Sequence, residues 1–245
     1  MSANNKAKGL FITGTDTGVG KTLVAAALTK MLVDKGVQVG VMKPAETGVN
    51  QPEQLGLDGN LLKWAAQNQQ TDDSICPYRL RAPLAPSVAA SKERIRIAYS
   101  RLVEQAKNTI NEYDFTIIEG AGGLMVPLAG GFLMADYARA VGLPLVVVCR
   151  PNLGTINHTL LTLFSARNLD LPVAGYLINN MPSEQTVAEE TVAHSLASLT
   201  TDELLGVLNQ ATGNAQEKVT QLAEQISRLK TYSLLARHLP PFFSC

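Results

Sequence analysis

Short, nearly unbroken apolar runs recur along the chain, each closed by polar residues and followed by a stretch with helical spacing. GLFIT at 9–13, VQVGVM at 37–42, FTII at 115–118, LPLVVV at 143–148 and VAGYLI at 173–178 are five such runs, and LLGVL at 204–208 is a candidate sixth. Runs of this length match parallel strands buried on both faces. Between the first two, apolar residues stand at 23, 24, 27, 28, 31 and 32, which predicts a helix over 21–35 with Gly36 as its stop. Helices are also predicted over 91–112, 155–168, 184–199 and 215–229. The alternation predicts an α/β fold: a doubly wound, mostly parallel sheet in one domain spanning 1–245, with 1–8 as a flexible N-terminus. Segments 44–57 and 70–90, rich in Pro, Gln, Gly and Asp, read as working loops of that domain.

Composition narrows the function. Lys plus Arg and Asp plus Glu are both 21, a net charge of zero, which argues against nucleic-acid or anionic-membrane partners. No apolar run approaches the ~20 residues of a membrane span. The first eight residues are polar and carry no apolar core of a secretion signal, so a cytoplasmic location is expected. Three scattered cysteines, Cys76, Cys149 and Cys245, suit neither a disulfide scaffold nor a zinc site.

Ligands of such sheets bind at the carboxyl ends of the strands. GTDTGVGKT at 14–22, KPAETG at 43–48, EGAGG at 119–123, RPNLGTINH at 150–158 and Asn179-Asn180 follow the five runs and should converge there. The first follows a strand and opens a helix, the setting of a phosphate loop. Its glycines let backbone N–H groups surround an anion, and the helix start adds a positive dipole end. Lys21 can reach the β and γ phosphates, and the Thr22 hydroxyl can ligate Mg²⁺. The spacing departs from the usual form of the motif, and the plain alternative is a Gly-rich turn with a chance Lys-Thr pair.

Glu119 stands where a strand-end carboxylate can hold Mg²⁺ directly or through water, or can simply cap the next helix. Lys43, at the buried end of an apolar run, needs an anionic partner. It is either a second cation aimed at the phosphates or a salt-bridged edge lysine. His158 suits a structural role as well as a catalytic one, Trp64 reads as packing and Cys149 as a buried small apolar residue. No Ser-His-Asp or Cys-His arrangement is legible.

Together these segments, with Asp58 and PLAPS at 83–87, resemble the dethiobiotin synthetase family in order and spacing from residue 9 to about 180. The resemblance implies a phosphate-loop NTPase-like fold and an ATP- and Mg²⁺-dependent cyclo-ligase. Its substrates would be 7,8-diaminopelargonate and CO₂ or bicarbonate. One amine captures CO₂ as a carbamate, the carbamate attacks the γ-phosphate to give a carbamic–phosphoric anhydride, and the second amine displaces phosphate and closes the ring. By matching position, Lys21, Lys43 and Thr17 are the implied catalytic residues. Gly18, Val19, Gly20, Lys21 and Thr22, with Glu119, Gly120, Ala121 and Gly122, would hold the nucleotide. Asn179 and Asn180 would face the adenine, and Thr22, Asp58 and Glu119 the Mg²⁺. Thr17 and Thr47 would face the diamine or its carbamate. The resemblance also implies a homodimer in which Gly154, Thr155 and Asn157 approach the substrate carboxylate of the neighbouring subunit.

The sequence departs from the family pattern in places. Gly18 replaces an acidic residue, Ser87 a histidine and Thr47 a serine found in other members. GVLNQ at 206–210 stands where Gly-x-x-Pro is expected beside the adenine, which bears on base selectivity. Two other classes share the core. Partitioning and septum-site ATPases carry an extra lysine early in the phosphate loop, where this chain has Asp16. Amidoligases of the cobyrinate type normally add a glutaminase domain with a nucleophilic cysteine.

Overall fold

The computed structural model of the protein describes residues 8–243. Cys245 and all but the last residue of the expected flexible N-terminus lie outside the described residues. Among the described residues ten strands form: β1 (Gly9–Gly14), β2 (Val39–Met42), β3 (Glu46–Thr47), β4 (Arg79–Leu80), β5 (Phe115–Glu119), β6 (Pro127–Ala129), β7 (Phe132–Leu133), β8 (Leu145–Cys149), β9 (Val173–Met181) and β10 (Leu204–Asn209). The helices are α1 (Lys21–Val33), α2 (Leu57–Ala66), α3 (Asp72–Ile75), α4 (Pro86–Lys92), α5 (Tyr99–Glu112), α6 (Met134–Val141), α7 (Thr155–Asn168), α8 (Val187–Leu199), α9 (Ala215–Ser227) and α10 (Tyr232–Ala236).

The six predicted runs make one parallel sheet in the order β10-β9-β8-β1-β5-β2. Alternate residues of each strand point to opposite faces. Leu10, Ile12, Val39, Val41, Ile117, Val146 and Val148 pack under α1, α2 and α9. Phe11, Met42, Ile118 and Leu145 pack against α5 and α6, and Val147 and Cys149 against α7 and α8. Both faces are covered, which is why the strands read as continuous apolar runs. The chain runs outward from β1 to β2 through one flank and returns to β8 on the other. The switch point of the sheet therefore lies beside β1, where the 14–22 loop emerges.

Two expectations are corrected. The helix predicted over 91–112 is two helices, α4 and α5, separated by residues 93–98. There Arg94 takes φ +57, Glu93 accepts a bond from Ala82 N, and Tyr78 OH accepts one from Ala98 N. Neither proline nor glycine marks that break. The segments read as loops contain the start of α2, all of α3 and a two-residue parallel pairing of β3 with β4. A hairpin of β6 and β7, turning at Gly130 and Gly131, leads into α6. Among the described residues, no helix is long and apolar enough to cross a membrane.

Candidate active site

Three strand ends and the starts of α2 and α9 meet around a cavity of about 1060 Å³. It is lined by Thr17, Gly18, Gly20, Lys21 and Thr22 after β1, by Lys43, Glu46 and Thr47 after β2, and by Glu119, Ala121 and Gly122 after β5. Asp58 from α2 and Asn214, Ala215 and Gln216 at the start of α9 complete the ring, with Pro83–Pro86 as an apolar rim.

The phosphate loop is shaped for an anion. α1 begins after Gly20, at φ +91, and no side chain caps it. A Cβ at Gly20 would collide with the amide of Asn179, so residue 20 must lack one on two counts. Asn179 Nδ2 donates to Val19 O at 3.0 Å and so ties the end of β9 to the loop. Lys21 Nζ donates to Asp16 O at 2.9 Å, curling back over the loop. Asp16 also accepts from Thr17 N at 2.7 Å.

The charged centre is built from four side chains. Thr22 donates its hydroxyl to Glu119 Oε1 at 2.8 Å, and Lys43 Nζ reaches the same oxygen at 2.8 Å. Lys43 also pairs with Asp58 Oδ2 at 2.7 Å. Lys43 is 4% exposed and Glu119 1%. Burial alone would drive the Lys43 ammonium toward neutrality, but Glu119 and Asp58 outweigh it and hold its pKa above the ordinary lysine range. Burial pushes the Glu119 carboxyl up, against the pull of Lys43. Asp58 is raised by burial and lowered more by the charge and hydrogen bond of Lys43, so it ends below the usual carboxylate range. Burial lowers Lys21, with Glu119 opposing. Lys43 is thus salt-bridged just past the edge strand β2, and it lines the same cavity as Lys21.

These residues fit a magnesium-bound nucleotide. Glu119 Oε2 is buried with no hydrogen-bond partner among the described residues, so the site holds a hard-oxygen donor in reserve. Thr22, Asp58 and Glu119 offer only oxygen, the donor set of Mg²⁺. Among the described residues no group of three or more His, Cys, Asp or Glu forms a metal cage. Mg²⁺ usually takes one or two carboxylates and completes its shell with phosphate and water.

Of the other expected site residues, Gly120 lies just behind the lining and Val19 contributes its carbonyl to Asn179. Asn180, at φ +66, is exposed beyond it. Gly154, Thr155 and Asn157 do not line the cavity. Gly154 is the uncapped N-cap of α7, Thr155 is buried and Asn157 points outward. Sequence reasoning missed Glu46 and the start of α9. The second carried a signal: Asn214 and Glu217 form a capping box. Glu46 carried none, because the helix that it contacts was not predicted.

A family model described as an AAA domain matches residues 8–218. The ATP-dependent dethiobiotin synthetase of Thermodesulfovibrio yellowstonii is 40% identical over 225 residues, covering 88% of this chain and 94% of that protein. The synthetase of Bacillus subtilis is 35% identical over 217 residues, covering 89% and 94%. Among solved structures, a plasmid partition protein of Borrelia burgdorferi bound to AMPPNP superposes with a TM-score of 0.58 at 12% identity, covering 96% of this chain and 100% of that one. The septum site-determining protein of Pyrococcus horikoshii, complexed with Mg-ADP, gives 0.54 at 16% identity, covering 90% and 96%. The structural likeness establishes the phosphate-loop fold, and the sequence relatives go further: the chain belongs to the ATP-dependent dethiobiotin synthetase family.

Proposed function

We propose that this protein closes the ureido ring of dethiobiotin from 7,8-diaminopelargonate, CO₂ and ATP. The observation that carries the reading is the buried Lys43, held between Asp58 and Glu119 in the same cavity as the phosphate loop. A cation there suits a reaction in which negative charge gathers on a carbamate and a γ-phosphate together. No nucleophile of the protein is needed, because the substrate supplies both amines. Positioning and charge stabilisation are then the protein's main tasks.

In this mechanism one amine adds to CO₂ and loses a proton, giving a carbamate. A carbamate oxygen attacks the γ-phosphorus and ADP leaves. The second amine attacks the carbamoyl carbon and gives up a proton to the departing phosphate or to water, phosphate leaves with the C–O bond electrons, and the ring closes. Lys21 and the N–H groups at the start of α1 hold the phosphates. Lys43 balances the carbamate and the transferring phosphoryl group, while Thr17 and Thr47 orient the diamine. Thr22, Asp58 and Glu119 hold Mg²⁺, which when bound offsets phosphate charge. Asn179 presents an amide to the base edge. The cytoplasm, where ATP is available, is the compartment this reaction implies.

We further propose a homodimer with a shared site. Asn157, Leu161 and Phe164 recur at helical spacing on one face of α7, and Leu161 and Phe164 are 55% and 63% exposed. Leu153, just before the helix, is 87% exposed. A second copy covering this face would bring the uncapped start of α7, at Gly154 and Thr155, to a neighbour's substrate carboxylate. Two experiments test the proposal. Incubation with all three substrates should yield dethiobiotin by mass spectrometry, and its absence would defeat the assignment. Mixing an inactive Lys43→Ala protein with an inactive α7-loop variant should restore activity through heterodimers. A mixture that stays inactive after confirmed subunit exchange would show that each site is built by one chain.

A further inference from the structure

Glu46 lies at the start of β3, three residues beyond Lys43, and is buried. Its main chain is fixed, with Glu46 N donating to Tyr78 O at 2.8 Å beside the pairing of β3 with β4. Its carboxylate faces the first turn of α2. Oε1 accepts from Asp58 N at 2.9 Å and Oε2 from Gly59 N at 3.0 Å. Those are the N–H groups that an N-cap side chain ordinarily satisfies. Here the N-cap is Gly56, which provides no side-chain cap, and a Cβ at that position would collide with the Glu46 carboxylate. A residue twelve positions upstream of Asp58 thus replaces the local cap. Its charge also suits the positive end of the helix.

The residue so held is Asp58, whose Oδ2 lies 2.7 Å from Lys43 Nζ. Rotation or fraying of the first turn of α2 would carry that carboxylate away from the cavity. We infer that Glu46 is a positioning residue for the magnesium site: by capping α2 from β3 it sets where Asp58 presents its carboxylate. The inference rests on the proposed role of Asp58 as a magnesium ligand. Groups that orient metal ligands are typically worth ~10–100-fold in metal affinity.

The test uses ADP binding, measured calorimetrically with excess Mg²⁺ and again in chelator, on wild type, Glu46→Ala, Glu46→Gln and Asp58→Asn. In Glu46→Ala the factor by which Mg²⁺ tightens ADP binding should fall about tenfold or more. Affinity in chelator should stay within about twofold, since the phosphate loop is untouched. The Mg²⁺ concentration for half-maximal turnover should rise in parallel, with kcat largely recovered at saturating Mg²⁺. Glu46→Gln keeps one acceptor and should fall between, and it carries the test if the alanine variant does not fold. If Asp58→Asn loses the magnesium effect while both Glu46 variants keep it, Glu46 serves the fold alone and the inference is wrong. If Asp58→Asn also keeps it, the role of Asp58 fails first and the inference with it.

Discussion

Lys43 concentrates the chemistry of the site in one side chain. It is a buried cation bonded to two carboxylates, so removing it leaves Glu119 buried and unbalanced. Breaking such a pair from one side typically costs about 3–5 kcal/mol. Lys43→Ala should therefore lower both the melting temperature and turnover, the latter ~10²-fold or more. Nucleotide binding should survive, because Lys21 and the start of α1 remain. Adding Glu119→Gln should recover part of the lost stability and none of the activity, a non-additivity that a double-mutant cycle would read. Additive losses in thermal melts would mean that the two groups do not depend on each other in the fold. Near-wild-type turnover in Lys43→Ala would remove it from the mechanism. The sequence exposed this residue because a lysine ending an apolar run demands an explanation. It did not expose Asp58, which spacing alone would not have selected and which only the family pattern brought forward.

The elements differ in how plainly the chain announces them. The six strands of the sheet stand out because burial on both faces requires continuous apolar residues, and α7 begins and ends where its pattern does. By contrast, α2 starts at Leu57 in a Pro- and Gln-rich stretch, with a glycine inside its first turn and its cap supplied by a residue from β3. Local sequence could not reveal a helix whose start depends on a distant carboxylate. Three predictions belong to this scale. Phe164→Glu on the exposed face of α7 should shift the protein toward monomer in analytical ultracentrifugation, and Asn157→Ala should raise KM for the diamine more than for ATP. An unchanged mass for the first, or equal effects on both substrates for the second, would contradict the shared site. The end of β10 carries the other. Asn209 N donates to Gln225 Oε1 at 2.8 Å, a bond that the proline of the family pattern could not make. If this segment flanks the base, as the family resemblance implies, an amide on α9 rather than a ring would set that wall, and relaxed nucleotide choice is expected. Competition among ATP, CTP and GTP measures it, and a strong ATP preference would show that Asn179 and the backbone suffice.

Across the whole molecule, one parallel sheet sorts its loops by task. The loop after β1, at the switch point, is the one proposed to take the phosphates. Those after β2 and β5, on one side of it, bring Lys43 and Glu119 into the cavity, and those after β8 and β9, on the other, lead to the α7 start, which lies outside the cavity, and to Asn179, which is bonded to Val19 O. The same frame serves the partition and septum-site proteins that it superposes on, so the fold alone does not distinguish a synthetase from an ATP-driven switch. The distinction lies in what ATP consumption requires. In a synthetase of this mechanism the carbamate is the attacking group, so phosphoryl transfer waits for the diamine and CO₂. The most direct measurement is ADP release with Mg²⁺ present, with and without 7,8-diaminopelargonate and bicarbonate. The account predicts ADP formed in step with dethiobiotin when both are added, and little when either is left out. Sustained ADP release at the same rate without them would contradict it.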